Sequence, residues 1–355
     1  RSSAASDVYK RQVIFIVVYN MKKNLYLLIA FLLIGCANER NGIEKHQYNR
    51  NEIVDVKSKV KEIVEDDVLI GDIARINLIK DYLVVEDYNS VDTLIRLFNK
   101  NDFSYMAGFG VRGQGPDEIA NLGGVSIEPF GRRLDVADWG KRKIFAYDLD
   151  SLLSKPLSYR PQEKLSIGEM QFPDRYIYIN DTLCVARVIT KVKGSPFMQA
   201  LAFWNMNSNQ LVPFEYLHPE IQRKRARFAV SADDDLIVEC YLYHDLITIY
   251  DLKGNLKCNI YGEYWDNRVS NKIHYFDRVE IYKDKIIVGY SGGDNMTEAY
   301  FPTVFMIFDL EGNYIKTLDV GYKIQDFCID KDNHRIIMAL VDEIQFAYLD
   351  LQQLI

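Results

Sequence analysis

The chain has 355 residues, a formal net charge of −7, and 13% aromatic residues led by 24 Tyr and 18 Phe. That charge gives no electrostatic reason to expect nucleic acid as a partner. Hydrophobic residues at 48% suffice for a substantial core, and the abundance of aromatic and β-branched types favours strands.

The chain opens at Arg1, and residues 1–12 fit neither a leader nor a fold element, so residues 1–20 are read as a non-native extension. Met21 is the expected start. Lys22 and Lys23, an apolar run over 25–34 and Gly35 before Cys36 have the order of a signal peptide spanning 21–35. The apolar run is too short to cross a hydrocarbon core, which takes roughly 20 apolar residues. A longer helix from Val13 is interrupted by Asn20, Lys22 and Lys23. Leu33-Ile34-Gly35-Cys36 resembles a lipobox, the recognition site of bacterial lipoprotein processing. The resemblance implies that Cys36 becomes the N-terminus and carries acyl chains. Several such chains hold a protein on a bilayer where one does so only marginally. The expected location is therefore the bacterial envelope, at the outer membrane. The polar segment 36–52 reads as a flexible tether.

From 53 to 355 the chain reads as one all-β domain. An apolar strand ending in an aromatic residue, followed by a polar turn, recurs six times. Its aromatic ends are Phe98, Tyr147, Trp204, Tyr250, Phe308 and Tyr348. The spacing is about 50 residues, the size of a propeller blade and longer than helical or leucine-rich repeats. The fourth copy is the clearest, with short strands over 227–231, 236–241, 246–250 and 256–261. Asp233-Asp234-Asp235, Tyr243-His244-Asp245 and Lys253-Gly254-Asn255 join them, and such residues supply the backbone angles of tight hairpins. Four antiparallel strands per unit make a propeller blade. The predicted fold is thus a six-bladed β-propeller over 53–355. The last copy lacks its outer strand, which the strand-like residues 53–56 are expected to supply, closing the ring without open edges.

Gly108-Phe-Gly-Val-Arg-Gly-Gln-Gly-Pro-Asp-Glu118, followed by the stretch Leu134 to Tyr147, resembles the TolB-like and NHL-like six-bladed propeller lipoproteins of Gram-negative bacteria. In that family a G-x-G-x-G-P-x-E loop follows the first blade, and Gly113, Gly115, Pro116 and Glu118 match it. Val136-Ala-Asp138 to Ile144 resembles an NHL repeat. The likeness is strong in the first two blades and looser afterwards, with Trp204-Asn-Met the largest departure. The resemblance implies the propeller fold and an envelope lipoprotein; it fixes no activity.

Three motifs match familiar chemistry only formally. Gly108-x-Gly110-x-x-Gly113 has dinucleotide spacing, but Gln114-Gly115-Pro116 denies it the required helix. Gly289-Tyr-Ser291-Gly-Gly293 fits G-x-S-x-G and His334 lies downstream, yet no helix follows the serine as a nucleophile elbow demands. Asp330-x-Asp332-Asn333 opens like a calcium loop but lacks the glycine and the distal glutamate. Each is expected to be a turn. No paired Cys or His occurs at metal spacing, so neither cofactor nor transition metal is expected. The basic cluster Arg223, Lys224, Arg225 and Arg227 is expected on a solvated loop. Cys184, Cys240, Cys258 and Cys328 each sit in an apolar strand pattern and are expected as free, buried thiols.

Four strands per blade sort the loops onto two faces. Connections from first to second strand are short, as at 80–81, 180–181 and 283–284. Long ones lie between second and third strands or between blades: 108–121, 190–199, 216–225, 262–271 and 291–302. Function resides on the elaborated loops of a rigid scaffold. The predicted binding face therefore comprises Arg112, Gln114, Asp117, His218, Arg223, Trp265, Asp266, Asp294, Asn295 and Glu298, with no catalytic residue assigned. The expected function is non-enzymatic binding or scaffolding of a protein or small ligand. The alternative is an envelope hydrolase or lyase acting on a carbohydrate or lactone at the channel mouth.

Overall fold

Each repeat folds because short apolar runs alternate with turns whose residues accept a left-handed backbone. Lys80, Asp235, Lys283 and His334, between first and second strands, have φ of 51–53°. Between third and fourth strands of blades 4 and 5, Asp251 and Asp309 accept the amides of Asn255 (2.8 Å) and Asn313 (2.7 Å). Gly254 and Gly312 turn those hairpins at φ of 81° and 83°, where a side chain would be strained. The computed structural model describes residues 43–64, 68–129, 131–156, 158–166, 173–192, 195–268 and 270–355. The predicted extension, signal peptide and Cys36 lie outside these residues.

The protein is an all-β, six-bladed propeller with antiparallel blades. Blade 1 runs Ala74–Ile79, Tyr82–Asp87, Thr93–Asn99 and Tyr105–Val111. Blade 2 runs Leu122–Ile127, Arg133–Asp138, Lys143–Asp148 and Gln162–Ser166. Blade 3 runs Pro173–Tyr178, Leu183–Val192, Ser195–Asn205 and Gln210–Pro213. Blade 4 runs Ala226–Ser231, Leu236–Tyr241, Leu246–Tyr250 and Leu256–Gly262. Blade 5 runs Ile273–Tyr282, Lys285–Asp294, Val304–Asp309 and Tyr314–Asp319. Blade 6 has Ile324–Asp330, Arg335–Leu340 and Phe346–Asp350, and Lys61–Glu62 lies beside the last of these. The predicted closing segment is thereby corrected. Ile53–Asp55 instead pairs parallel with Tyr314–Asp319 as an extra strand on blade 5. Two residues suffice in blade 6 because Ala347 and Tyr348 find partners in Glu62 and Lys61.

Six apolar cores fill the gaps between neighbouring blades, one per gap. Leu97, Phe109, Leu134 and Tyr147 join blades 1 and 2, and Tyr176, Cys184 and Trp204 meet Ile144 between blades 2 and 3. Phe214 meets Tyr250 between blades 3 and 4, and Val238 meets Phe276 between 4 and 5. Phe305 meets Phe327 between 5 and 6, and Ile76 and Phe98 meet Cys328 and Ile337 between 1 and 6. In the divergent third copy the Trp204 indole stacks edge-on against Tyr176 (5.1 Å between centres), and its N–H donates to Asn209 (2.9 Å). Cys184, Cys240, Cys258 and Cys328 are buried, as expected, and form no disulfide with one another; burial pushes the thiols of Cys184 and Cys240 well up. The predicted loop over 190–199 is corrected to a continued hairpin, with Ile189 paired to Gln199 and Thr190 to Met198.

Residues 46–50, read from the sequence as part of a flexible tether, pack on the propeller. His46 stacks on Tyr261 (4.7 Å between ring centres), and Gln47 donates to the Gly312 carbonyl (2.6 Å). Arg50, its side chain 7% exposed, forms an ion pair with Asp245 (2.7 Å). Polar residues remain on the propeller where each finds a specific partner. Among the described residues, no helix is long and apolar enough to cross a membrane.

Candidate functional site

The first strand of every blade lines the axial channel, so its polar residues determine the channel's chemistry. At one end a cavity of about 350 Å³ is walled by Arg75, Asn77, Val125, Ser126, Asp174, Arg175, Arg227 and Asp326. Trp139 and Tyr243, from connections between second and third strands, stand at its mouth. A second cavity of about 420 Å³ opens at the other end among Lys80, Lys100, Glu280 and Asp332. Asn77, Val125, Ser126, Arg175 and Tyr176 line both cavities and form the waist. This confirms the two-face sorting of loops.

Strand irregularities aim the waist residues. The register of the first strand shifts at Leu122/Gly124 in blade 2, Pro173/Arg175 in blade 3 and Ile324/Asp326 in blade 6. Blade 5 shifts twice, between His274 and Val279. A bulge adds a residue to one strand and turns the next side chain toward a new direction. Here it sets Arg175 and Asp326 into the cavity wall.

Most charges in the wall are compensated. Arg187 forms a two-pronged pair with Asp174 (both 2.8 Å). Arg227 pairs with Asp277 (2.9 Å), and Arg278 with Asp326 (3.0 Å) and Glu280 (2.6 Å). Burial would raise the Asp277 carboxyl, but Arg227 and His274 hold it below the usual carboxylate range. Arg175 differs: among the described residues no carboxylate pairs with its guanidinium, which lines both cavities. Burial, with Arg278, Arg227 and Arg75 nearby, pulls its pKa down to about 10. The free charge at the waist is therefore a cation.

Glu86, 2% exposed, accepts from the Asn77 amide (2.6 Å) and the Tyr88 hydroxyl (2.9 Å). Burial raises its pKa above the ordinary value, against the opposing pull of Arg75. A folded-state pKa above the unfolded one means stability is fully present below the unfolded value, about 4.3, and is lost as pH rises through the folded value. Glu86→Gln is therefore expected to unfold at higher temperature than wild type at pH 8 and to match it at pH 4. Thermal unfolding across that range checks this; a Glu86→Gln advantage that grows on acidification would show the opposite sign.

The ten residues of the predicted binding face stand apart from this cavity. Arg112 donates to the carbonyls of Ser90 (2.8 Å) and Tyr88 (2.7 Å), Asp117 pairs with Arg160 (2.9 Å), and Gln114 is exposed nearby in sequence. Their loop is shaped by Glu118, which accepts the Gly115 amide (2.7 Å); a Cβ on Gly113 would lie 2.0 Å from the Glu118 carboxylate. His218, buried, bonds the Tyr261 hydroxyl (3.0 Å) and lies edge-on to Trp265 (5.4 Å between centres). Burial lowers the His218 pKa to about 4, leaving it neutral at pH 7. Asp266 pairs with Arg268, and Glu298 with Lys323 (2.7 Å). The Asp294 carboxylate accepts the Met296 amide (2.8 Å), and the Asn295 amide donates to the Lys272 carbonyl (2.7 Å). Of the ten, His218 and Trp265 touch, and Asp266 adjoins Trp265 in sequence; none lines the channel cavity.

The basic cluster is corrected from a solvated loop. Lys224, 4% exposed, pairs with buried Glu239 (2.7 Å), and Arg227 enters the channel wall, while Arg223 and Arg225 are exposed. Of the formal motifs, only the one opening at Asp330 is a turn; Gly289 to Gly293 lie within the strand Lys285–Asp294, and Gly108 and Gly110 within Tyr105–Val111, which corrects the expectation of turns there. The Ser291 hydroxyl donates to the Ala299 carbonyl (2.6 Å), and His334 bonds the Tyr282 hydroxyl (2.6 Å). Asp330 is taken by Lys100 (3.4 Å) and Arg335 (3.1 Å).

Residues 46–178 match a family described as 6-bladed beta-propeller, DUF5128. A candidate exported protein of Bacteroides fragilis has a similar structure, with a TM-score of 0.56 and 11% identity, covering 86% of this chain and 98% of that one. A member of the DUF4221 family from Bacteroides vulgatus is similar at a TM-score of 0.55 and 10% identity, covering 83% and 98%. At such identities the likeness is one of fold. No curated protein matches the sequence.

Proposed function

We propose that the protein is an exported, lipid-anchored envelope propeller that binds a small ligand in its channel without converting it. The observation carrying the binding reading is the cavity wall. Its aspartates are held by arginines, and Glu86 by Asn77 and Tyr88, while Arg175 has no such partner among the described residues. A wall whose carboxylates are engaged and whose free group is a permanent cation suits recognition better than acid–base chemistry. Export is supported by the leader over 21–35, by the lipobox-like Leu33 to Cys36, and by likeness to a Bacteroides fragilis protein described as a candidate exported protein. The resemblance to TolB-like and NHL-like lipoproteins points to the same compartment, with the outer membrane as the membrane of residence. The elaborated rim, with Arg112, Trp265 and Asp294, is available to a protein partner on the same face.

Lipid anchoring has a direct test. Wild type is expected to sediment with membranes and to incorporate labelled palmitate, with processing blocked by globomycin. Cys36→Ala is expected to lose the label and leave the membrane fraction. Wild type that takes up no label, and a variant that fractionates identically, would refute the anchor.

A second reading, a hydrolase or lyase acting on a carbohydrate or lactone, is favoured by Glu86 alone. Its raised pKa would let a protonated carboxyl serve as an acid in the channel. Glu86→Gln separates the two: an enzyme loses turnover, whereas a binding protein keeps its ligand.

A further inference from the structure

We propose that the channel ligand is a small organic anion whose carboxylate, sulfate or phosphate group docks on Arg175 at the waist, its uncharged part lying against Trp139 and Tyr243 at the mouth. This inference rests on the channel-binding reading above and adds the ligand's class.

The first argument is a contrast of charge. The chain as a whole carries −7, yet the cavity wall holds Arg75, Arg175, Arg187, Arg225 and Arg227 against Glu86, Asp174 and Asp326. A cleft with an excess of one sign of charge, five guanidiniums against three carboxylates here, favours ligands of the opposite sign. An anion repelled by most of the surface is attracted here.

The second argument is the unmet guanidinium. Removing a cation from water without a counter-ion is unfavourable, and folded proteins pair such groups. This protein does so for Arg187 and Arg227 in the same wall, and for Arg278 in the second cavity. Arg175, like Arg75 and Arg225 of the first wall, has no carboxylate at ion-pair distance among the described residues; of these three it alone lines both cavities, and the register shift between Pro173 and Arg175 directs it there. A ligand oxyanion would supply what the chain withholds. A guanidinium also presents parallel N–H donors that match a carboxylate, sulfate or phosphate edge.

The third argument concerns the remainder of the ligand. Trp139, 40% exposed beside the cavity, presents an amphipathic indole face there. A cavity of about 350 Å³ admits a molecule of metabolite size. Aromatic faces at the mouth suit a ring or a hydrocarbon portion.

The test uses the full chain in detergent micelles at fixed ionic strength. Inorganic phosphate, sulfate and glucuronate are titrated, with glucose as the uncharged control, and read by calorimetry and thermal unfolding. At least one anion is expected to bind wild type saturably and raise its Tm. Binding is expected to weaken at least tenfold in Arg175→Gln and less in Arg175→Lys. Without anion, Arg175→Gln is expected to unfold at a higher temperature than wild type, which also shows that it folds. Identical anion responses in wild type and Arg175→Gln overturn the proposal. Native mass spectrometry of protein drawn from its own cells separates the two levels of inference. A bound neutral molecule retained by Arg175→Gln overturns the anion class and leaves the channel reading intact. No bound molecule together with no anion response overturns both.

Discussion

Asp138→Ala is expected to destabilise the propeller by about 4 kcal/mol, a fall in Tm of about 6–8 °C for a domain of this size. Asp138 is fully buried, and its carboxylate accepts the amides of Ala120 (2.8 Å), Asn121 (3.0 Å), Gly140 (2.9 Å) and Lys141 (3.1 Å). It thus ties the turn after its own strand to the chain entering blade 2. Hydrogen bonds to an ionised group contribute about 1.5–3 kcal/mol each. The sum over four exceeds the expected effect, because water reaches part of the exposed turn once the carboxylate is gone. Asp138→Asn keeps one acceptor oxygen and is expected to lose about half as much. Asp87 holds the same place in blade 1, accepting from Gly71 (2.9 Å), Ser90 (3.0 Å) and Arg96 (2.9 Å). Urea unfolding checks the prediction; a midpoint unchanged in Asp138→Ala would mean that the turn holds itself.

Arg50→Ala is expected to be destabilising by about 3 kcal/mol, the lower end for breaking a buried ion pair. Asp245, its side chain 2% exposed, would keep, among the described residues, the weaker Tyr264 amide (3.2 Å) as its donor. The low end is chosen because the Nε and one terminal nitrogen of Arg50 are buried without partners, a cost the variant removes. The guanidinium also lies over Phe308, at 5.3 Å from the ring centre, and that contact goes too. Asp245→Asn in the Arg50→Ala background removes the stranded charge and is expected to recover part of the loss. If the double variant is no more stable than Arg50→Ala, the penalty lies in lost packing instead of the unpaired carboxylate. Unfolding in urea distinguishes these.

The fold was legible because the third strand of each blade announces itself. Phe98, Tyr147, Trp204, Tyr250 and Phe308 are buried between blades, and selection for large aromatics there leaves a period. The fourth blade was legible nearly to the residue, since its apolar runs are separated by Asp clusters and Gly-Asn. The outer strand of blade 6 was not. Lys61–Glu62 is two charged residues, with no burial pattern to mark it, whereas the more strand-like Ile53–Asp55 joins blade 5.

The channel escaped the sequence for a related reason. Loop lengths tell which face a residue occupies but not its distance from the axis, so the predicted residues fell on the rim. Arg75, Arg175 and Arg227 recur near the starts of first strands at one- and two-blade spacings, each followed by an apolar residue. Aligning first strands instead of third strands would have exposed that register. The bulges that aim Arg175 and Asp326 leave no such mark, because an inserted residue is invisible without its pairing partner.

The meeting of Lys61–Glu62 with Ala347 and Tyr348 also governs how the molecule is made. Residues almost a whole chain length apart must find one another, the most non-local pairing in the fold, and such contacts are slow because loop entropy is lost before they form. The four antiparallel strands of each of blades 1 to 5 come from contiguous sequence, but blade 1 leans on a blade whose last strands are synthesised last. Until then Ile76 and Leu83 lack their neighbours Ile337 and Phe346. A chain truncated before Phe346 would therefore lose more than its final hairpin. It would leave both ends of the ring with open strand edges, the surface through which β proteins aggregate.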